Sequence, residues 1–384
     1  MKPTTSSGRR RTAVSVTAAL ALVTSGTVLA PAAVADDGVI EIPVLAINDF
    51  HGRIMKDLGG GLPGAALLAG AIDAQRAENA NVIFASAGDN IGASIFESFS
   101  LLDEPTIDVL KEMGLDVSAV GNHEFDRGYD DLVNRVLPRY SDTEPGRFGL
   151  GANVYEKGTD TPALEEFAVV EREGVRVGFI GTVTTDTPNM VTPTGVADLD
   201  FGDELEAVER VAETLTNGDE GDGEADIVVL LTHSGFATSS CEALLSDSSG
   251  YLDFLESVPA EVDAIFTGHT HQSYACDVPV AGGGTRPVVQ GLEYGKALSS
   301  VTFTVDANSK EILSTSRAST PLLQGNPAAP VIDVEVPEVA AIVAAAKAAA
   351  DEVGEEVVGK ITADVLRGGT KGSDRGVEST LGNL

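Results

Sequence analysis

The 384-residue chain has no tryptophan, two cysteines, five histidines, and 25 Lys and Arg against 59 Asp and Glu. Each shortage excludes something. Two cysteines cannot furnish a thiolate-rich zinc module or a disulfide-dense small scaffold. Aromatic residues at 5% leave the core to Val, Ala, Leu and Ile, and a hydrophobic content of 43% excludes a chain disordered throughout. A formal charge of −34 excludes wrapping of a nucleic-acid polymer through a basic groove and attraction to anionic membranes. A small anionic substrate would then need a local positive centre, which a metal site provides.

Uncharged runs of membrane-spanning length are scarce too. Thr12 to Ala30 comes nearest, follows the cations Lys2 and Arg9 to Arg11, and leads into PAAVA-DD with an A-x-A-like cleavage site ending at Ala35. Its Ala, Thr, Ser and Gly content favours a cleaved signal peptide over residues 1–35 rather than a retained anchor. Export is therefore expected, to a secreted or cell-envelope location, with no stable membrane insertion after cleavage. Loss of the leader's four cations takes the remainder to about −38. In an oxidising compartment Cys241 and Cys276 are expected to pair, the alternative being two separate buried thiols.

Short apolar runs alternate with amphipathic stretches, the pattern of an α/β fold. Strands are expected near 41–47, 81–86, 116–120, 175–182, 226–232, 263–268, 287–291 and 297–305, with a hairpin turning at Glu173-Gly174. Helical spacing marks 64–79, 104–114, 129–137, 203–215 and, after a Pro- and Ala-rich stretch at 320–337, the Ala-rich 339–353. These divide the chain into a catalytic domain over 36–318, a linker and helix over 319–360, and the start of an incomplete C-terminal domain over 361–384. A fragment of a longer protein is the expectation.

All five histidines fall where a strand is expected to end. His51 lies in NDFHG, His123 in GNHE, His233 directly after DIVVLLT, and His269 and His271 in GHTH. Ligands of open α/β sheets bind at the carboxyl ends of strands. Asp49 stands two residues before His51, a spacing that in extended backbone puts both side chains on one side. Asp89 occurs in SAGDN, where Gly88 permits close backbone approach. Any one motif has a plain reading as a turn, a cap or a core histidine. Their joint occurrence is the signal. Asp49, His51, Asp89, Asn122, His233, His269 and His271 exceed the four ligands of one structural zinc, and point to two divalent cations sharing Asp89, about 3.5–4 Å apart as in phosphatases and nucleases.

NDFHG, GDN, GNHEFD, THSG and GHTH, in this order, resemble the successive motifs of the calcineurin-like metallophosphoesterases, and GNHEFD with ESTLGNL resembles the secreted 5'-nucleotidase/UDP-sugar hydrolase family. The resemblance covers about residues 41–305. It implies a sandwich of two β-sheets flanked by helices, with one metal on Asp49, His51, Asp89 and His271 and the other on Asp89, Asn122, His233 and His269. Some family members carry Gln where His271 stands. The resemblance also makes His123 and Asp126 the catalytic pair and leaves Glu124 structural. Zinc, manganese, iron and cobalt all suit the donors.

The expected activity is hydrolysis of a nucleotide phosphate ester, 5'-nucleotidase-like, by a hydroxide bridging the metals. The partner is a small phosphorylated molecule. Within enzymes the rivals are a 2',3'-cyclic-nucleotide phosphodiesterase and a UDP-sugar hydrolase. From another class, the rival is a surface interaction module with structural metals, which would need neither His123 nor Asp126.

Overall fold

The computed structural model describes residues 38–359, save 142, 220, 222, 326–328 and 332. The leader read over residues 1–35 and the element read over 361–384 lie outside the described residues.

In chain order the strands that position the site are β1 (Val39–Ile47), β2 (Ile83–Ser86), β3 (Val117–Ser118), β4 (Val154–Glu156), β5 (Phe167–Arg172), β6 (Val175–Val183), β7 (Leu199–Phe201), β8 (Ile227–His233), β9 (Ala264–Thr267), β10 (Tyr274–Pro279), β11 (Thr285–Gln290), β12 (Ala297–Asp306) and β13 (Ile312–Pro321). Five form a sheet in the order β13-β12-β1-β2-β3, and six form another in the order β10-β11-β9-β8-β6-β5; β4 and β7 pair apart. β1, β2 and β3 run parallel, as do β6, β8, β9 and β11.

Alternation along the strands builds the layers. Ile42, Val44 and Ala46 of β1 share one buried cluster with Val229 and Leu231 of β8 and Phe179 of β6, so the two sheets face each other. The intervening residues Leu45 and Ile47 turn the other way, onto Leu68 and Ile72 of the Gly64–Glu78 helix. On the far side Val228 and Leu230 meet Val208 and Val211 of the Glu204–Leu215 helix. The result is helix, sheet, sheet, helix, as expected for the resembled family.

Departures from expectation have local causes. β3 is shorter than 116–120 because the chain leaves β2 after Ala119, whose N–H donates to Ser86 O at 2.9 Å, and Val120 N donates instead to Leu150 O at 2.9 Å. The helix expected at 129–137 contains a π turn, Leu132–Val136, one residue short of Pro138, which has no N–H to return to the preceding turn. β13 was not expected as a strand: its sequence, ILSTSRASTP, is polar because it is an exposed edge, and residue 318 falls inside it. The Pro337–Gly354 helix buries Val339 and Ala346 in the cluster that holds Leu68 and Ile72. Among the described residues no helix is long and apolar enough to cross a membrane.

Candidate metal centre

The loops that follow β1, β2, β3, β8 and β9 converge at the carboxyl end of the parallel strands. The first two are laced by backbone, with Asp49 N to Gly88 O, His51 N to Asp89 O and Gly52 N to Asn90 O each at 3.0 Å. Gly88 makes this possible: its φ is +89°, and a Cβ would lie 2.5 Å from Gly121 N. At Gly121 a Cβ would meet Asp89 Oδ1 at 2.2 Å. Side chains are excluded so that carboxylates and imidazoles can crowd together.

Five of the seven candidate ligands have left-handed backbone: Asp49 at φ 49°, His51 at 48°, Asp89 at 53°, His269 at 70° and His271 at 56°. The expected extended spacing of Asp49 and His51 is thus corrected: β1 ends at Ile47, and a turn brings the two side chains together. Residues held this way cost on the order of 1–3 kcal/mol each and persist where their surroundings over-determine them.

The structure brings all seven together. Asp49 Oδ1 lies 3.2 Å from His271 Nε2 and 3.8 Å from both His51 Nε2 and His233 Nε2. Asp89 Oδ2 lies 3.6 Å from His51 Nε2 and 3.0 Å from His233 Nε2. His269 Nδ1 is 3.1 Å from Asn122 Oδ1. Asp49, His51 and His271, and Asp49, Asp89 and His233, each gather three ligand atoms within 4.8 Å, as do His51, Asp89 and His123.

The donor set fits divalent cations on three counts. His51 and His233 each fix Nδ1 on a carbonyl oxygen, of Gly92 at 2.9 Å and Ala87 at 2.8 Å, which aims Nε2 at the carboxylates in the way metal-ligating imidazoles are oriented. His233 Nε2 is close to Asp89 but out of line with it, and stays a buried nitrogen without a hydrogen-bond partner. Asp49 and Asp89 are buried charges that, among the described residues, pair with imidazoles and with no Lys or Arg, and buried charge requires compensation. Burial lowers the pKa of His233, but Asp89 and Asp49 outweigh it and raise the value to about 10. Asp89, which burial would raise, is held low by His233, His51 and His123. That negative field is what a dication would meet.

His123 faces the same space from the β3 loop. Its N–H donates to Asp89 Oδ1 at 2.8 Å, and its ring Nδ1 lies 2.9 Å from Asp126 Oδ2. Burial lowers its pKa, yet Asp126 and Asp89 prevail and raise it to about 9. Glu124 braces the loops: its carboxylate accepts the backbone N–H groups of Gly121 at 2.6 Å, Asp89 and Asn90 at 2.8 Å, and Ile91 at 3.3 Å.

A cavity of about 340 Å³ opens over the ligands, and Arg53 and Tyr294 line it beside Asn122, His123 and His271. Sequence reasoning missed these two. The available signals were an Arg directly after NDFHG and an aromatic residue just past β11. Cys241 and Cys276 form a disulfide with Cα atoms 5.5 Å apart. Their positions, eight residues past His233 and five past His271, read from the sequence as loops; instead Cys241 begins the Cys241–Leu244 helix, and Cys276 lies within β10 opposite Val288.

The profile of the calcineurin-like phosphoesterases matches residues 42–273, more than half of the chain, and the chain belongs to that family. It is 33% identical over 292 residues to "Endonuclease YhcR" of Bacillus subtilis, covering 71% of this chain and 23% of that protein. To "Cell wall protein Lmo0130" of Listeria monocytogenes it is 34% identical over 309 residues, covering 72% and 38%. To a 5'-nucleotidase of Vibrio cholerae it is 27% identical over 249 residues, covering 63% and 42%. The chain thus spans less than half the length of each of these relatives. In fold it is similar to the calcineurin-like phosphoesterase YfkN from Bacillus subtilis, with a TM-score of 0.64 at 20% identity over 83% of this chain and all of that one.

Proposed function

We propose that the chain hydrolyses nucleotide phosphate esters in the manner of a 5'-nucleotidase. Asp49, His51, Asp89 and His271 would hold one divalent cation and Asp89, Asn122, His233 and His269 a second, with zinc, manganese, iron and cobalt all suited to the donors. When bound, such cations supply Lewis acidity and a water-derived nucleophile at neutral pH. The remaining work belongs to the chain. With Nδ1 donating to Asp126, the Nε2 atom of His123 holds the proton that the leaving oxygen requires, a contribution typically about 10²–10⁴-fold. Glu124 keeps the loops carrying Asp89 and His123 in register. The single observation that carries the reading is the His123–Asp126 pair, 2.9 Å apart, whose His123 lines one cavity with the candidate ligands His51, Asp89, Asn122, His269 and His271.

Similarity to a 5'-nucleotidase supports the substrate class, and similarity to a protein named for the cell wall supports export. The relative named an endonuclease supports a diesterase as the second reading, which the net charge of −34 opposes where the diester is a polymer. The test is phosphate release from AMP, UDP-glucose, a 2',3'-cyclic nucleotide and an aryl phosphate, before and after chelation and metal return. AMP should be hydrolysed fastest, with activity lost to chelator and restored by metal. Faster turnover of the cyclic nucleotide would replace the nucleotidase by the diesterase, and release from no substrate under any metal would refute both.

A further inference from the structure

In so acidic a chain, Arg53 stands at the cleft with no carboxylate paired to it among the described residues. Arg53 Nη1 donates to His51 O at 2.9 Å and Ala93 O at 3.1 Å. Its guanidinium lies over the ring of Tyr294, with Cζ 4.4 Å from the centroid. Tyr294 is itself fixed, its N–H donating to Asp49 O at 2.8 Å and its ring meeting those of His51 and His271 at 5.9 and 5.7 Å. Lys296 also approaches this ring but is paired with Glu293. Arg53 therefore has a fixed position on the wall of the cavity that holds Asn122, His123 and His271. Among the described residues no carboxylate pairs with it, and its Nε–Nη2 edge has no partner.

We propose that Arg53 is a specificity-determining residue whose Nε–Nη2 edge takes two oxygens of a terminal phosphoryl group, selecting dianionic phosphate monoesters over diesters. A guanidinium edge matches two phosphoryl oxygens, and a charge-assisted pair of this kind is stronger than a neutral one. A monoester offers a third terminal oxygen and a second negative charge for that edge to hold; a diester offers neither. Stacking on Tyr294 and the two carbonyl bonds fix the side chain in advance, so little rotamer entropy is lost when phosphate arrives. The inference rests on the phosphoesterase reading above. Its structural rival is that Arg53 only braces the 51–53 loop against Ala93, in which case its loss would disturb metal retention and treat all esters alike.

The experiment compares the metal-replete full chain with Arg53→Gln, Arg53→Lys and the control Lys56→Gln. Lys56 carries the same charge three residues on, in a surface pair with Glu335. Elemental analysis gives metal content, calorimetry gives affinity for inorganic phosphate, and kinetics are read with phenyl phosphate and bis(4-nitrophenyl) phosphate. For Arg53→Gln, metal content should hold, phosphate affinity and monoester kcat/KM should each fall roughly 10–100-fold, and the diester should change less than about threefold. Arg53→Lys, a point charge without the fork, should fall between wild type and Gln. Lys56→Gln should bind phosphate as wild type does.

Unchanged phosphate affinity in Arg53→Gln, equal losses on both esters, loss of metal together with phosphate, or equal weakening by Lys56→Gln would each overturn the assignment. A wild type that binds no phosphate and cleaves neither ester would overturn the phosphoesterase reading and this inference together. An active wild type with an indifferent Arg53→Gln overturns this inference alone.

Discussion

The two ends of the sandwich hold left-handed backbone for different purposes. At the carboxyl end of the parallel strands it falls on Asp49, His51, Asp89, His269 and His271, all committed to one cluster of buried or half-buried donors. At the opposite end it falls on Glu173 and Gly174, at φ 50° and 72°, a two-residue turn joining β5 to β6 with Arg172 opposite Val175. The turn is local, exposed and replaceable. The ligand loops are held by long-range bonds, from Glu124 to four amides and from Asp49 to the N–H of His269 at 2.9 Å. Strain of similar size thus falls on a candidate site at one end and only on a tight connection at the other, and what separates them is what surrounds the residue.

Substitutions should break this contrast in graded steps. Asp89→Ala removes the carboxylate placed between both halves of the donor set. Metal content should drop from two ions to at most one, and kcat should fall roughly 10⁴-fold, the scale seen when a group on which a whole unit depends is removed; full retention of both ions by elemental analysis would refute the shared role. His123→Asn should keep both ions and lower kcat about 10²–10⁴-fold, and an unaltered kcat would take His123 out of the chemistry. Glu124→Gln turns one acceptor into an NH₂ group facing amide donors, so thermal melting should show a loss of about 1–3 kcal/mol.

At the opposite end the effects should be smaller and should spare activity. Burial pushes the carboxyl of Asp263, just before β9, up to about 7 against the pull of the Val228 N–H and Arg286. A raised folded pKa means that the folded state binds this proton more tightly than the unfolded chain does. Its stabilisation is complete below about pH 4 and is lost as pH rises toward 7. Asp263→Asn should therefore lose less Tm than wild type between pH 4 and pH 7; parallel curves would exclude the linkage. Smallest of all, Glu173→Asn places the residue pair preferred in such turns at φ 50° and should raise stability by about 0.5 kcal/mol, with kcat untouched.

Much of this was legible in the sequence because the chemistry needs rare residues at strand ends. With five histidines in 384 residues, each one beside an apolar run carried information, and the hairpin at Glu173-Gly174 follows from its turn residues. The convergence of the ligands was expected for the wrong local reason at Asp49 and His51, since alternation cannot foretell where a strand stops and a turn begins. Glu124 was taken as structural without a partner in view, because its partners are backbone amides, which no sequence pattern names. Arg53 and Tyr294 stand 241 positions apart in sequence and meet only through the fold. β13 escaped notice because an exposed edge strand has no buried face to impose alternation on its residues.

The Cys241–Cys276 bridge spans a 35-residue separation, and the stretch it closes contains β9 with both imidazoles of GHTH. A protease that severs any one peptide bond between Glu242 and Ala275 would leave two pieces of chain still linked through sulfur. His269 and His271 would stay tethered to the strands on either side after such a nick, so the oxidised protein has a tolerance of surface cleavage that its reduced form lacks.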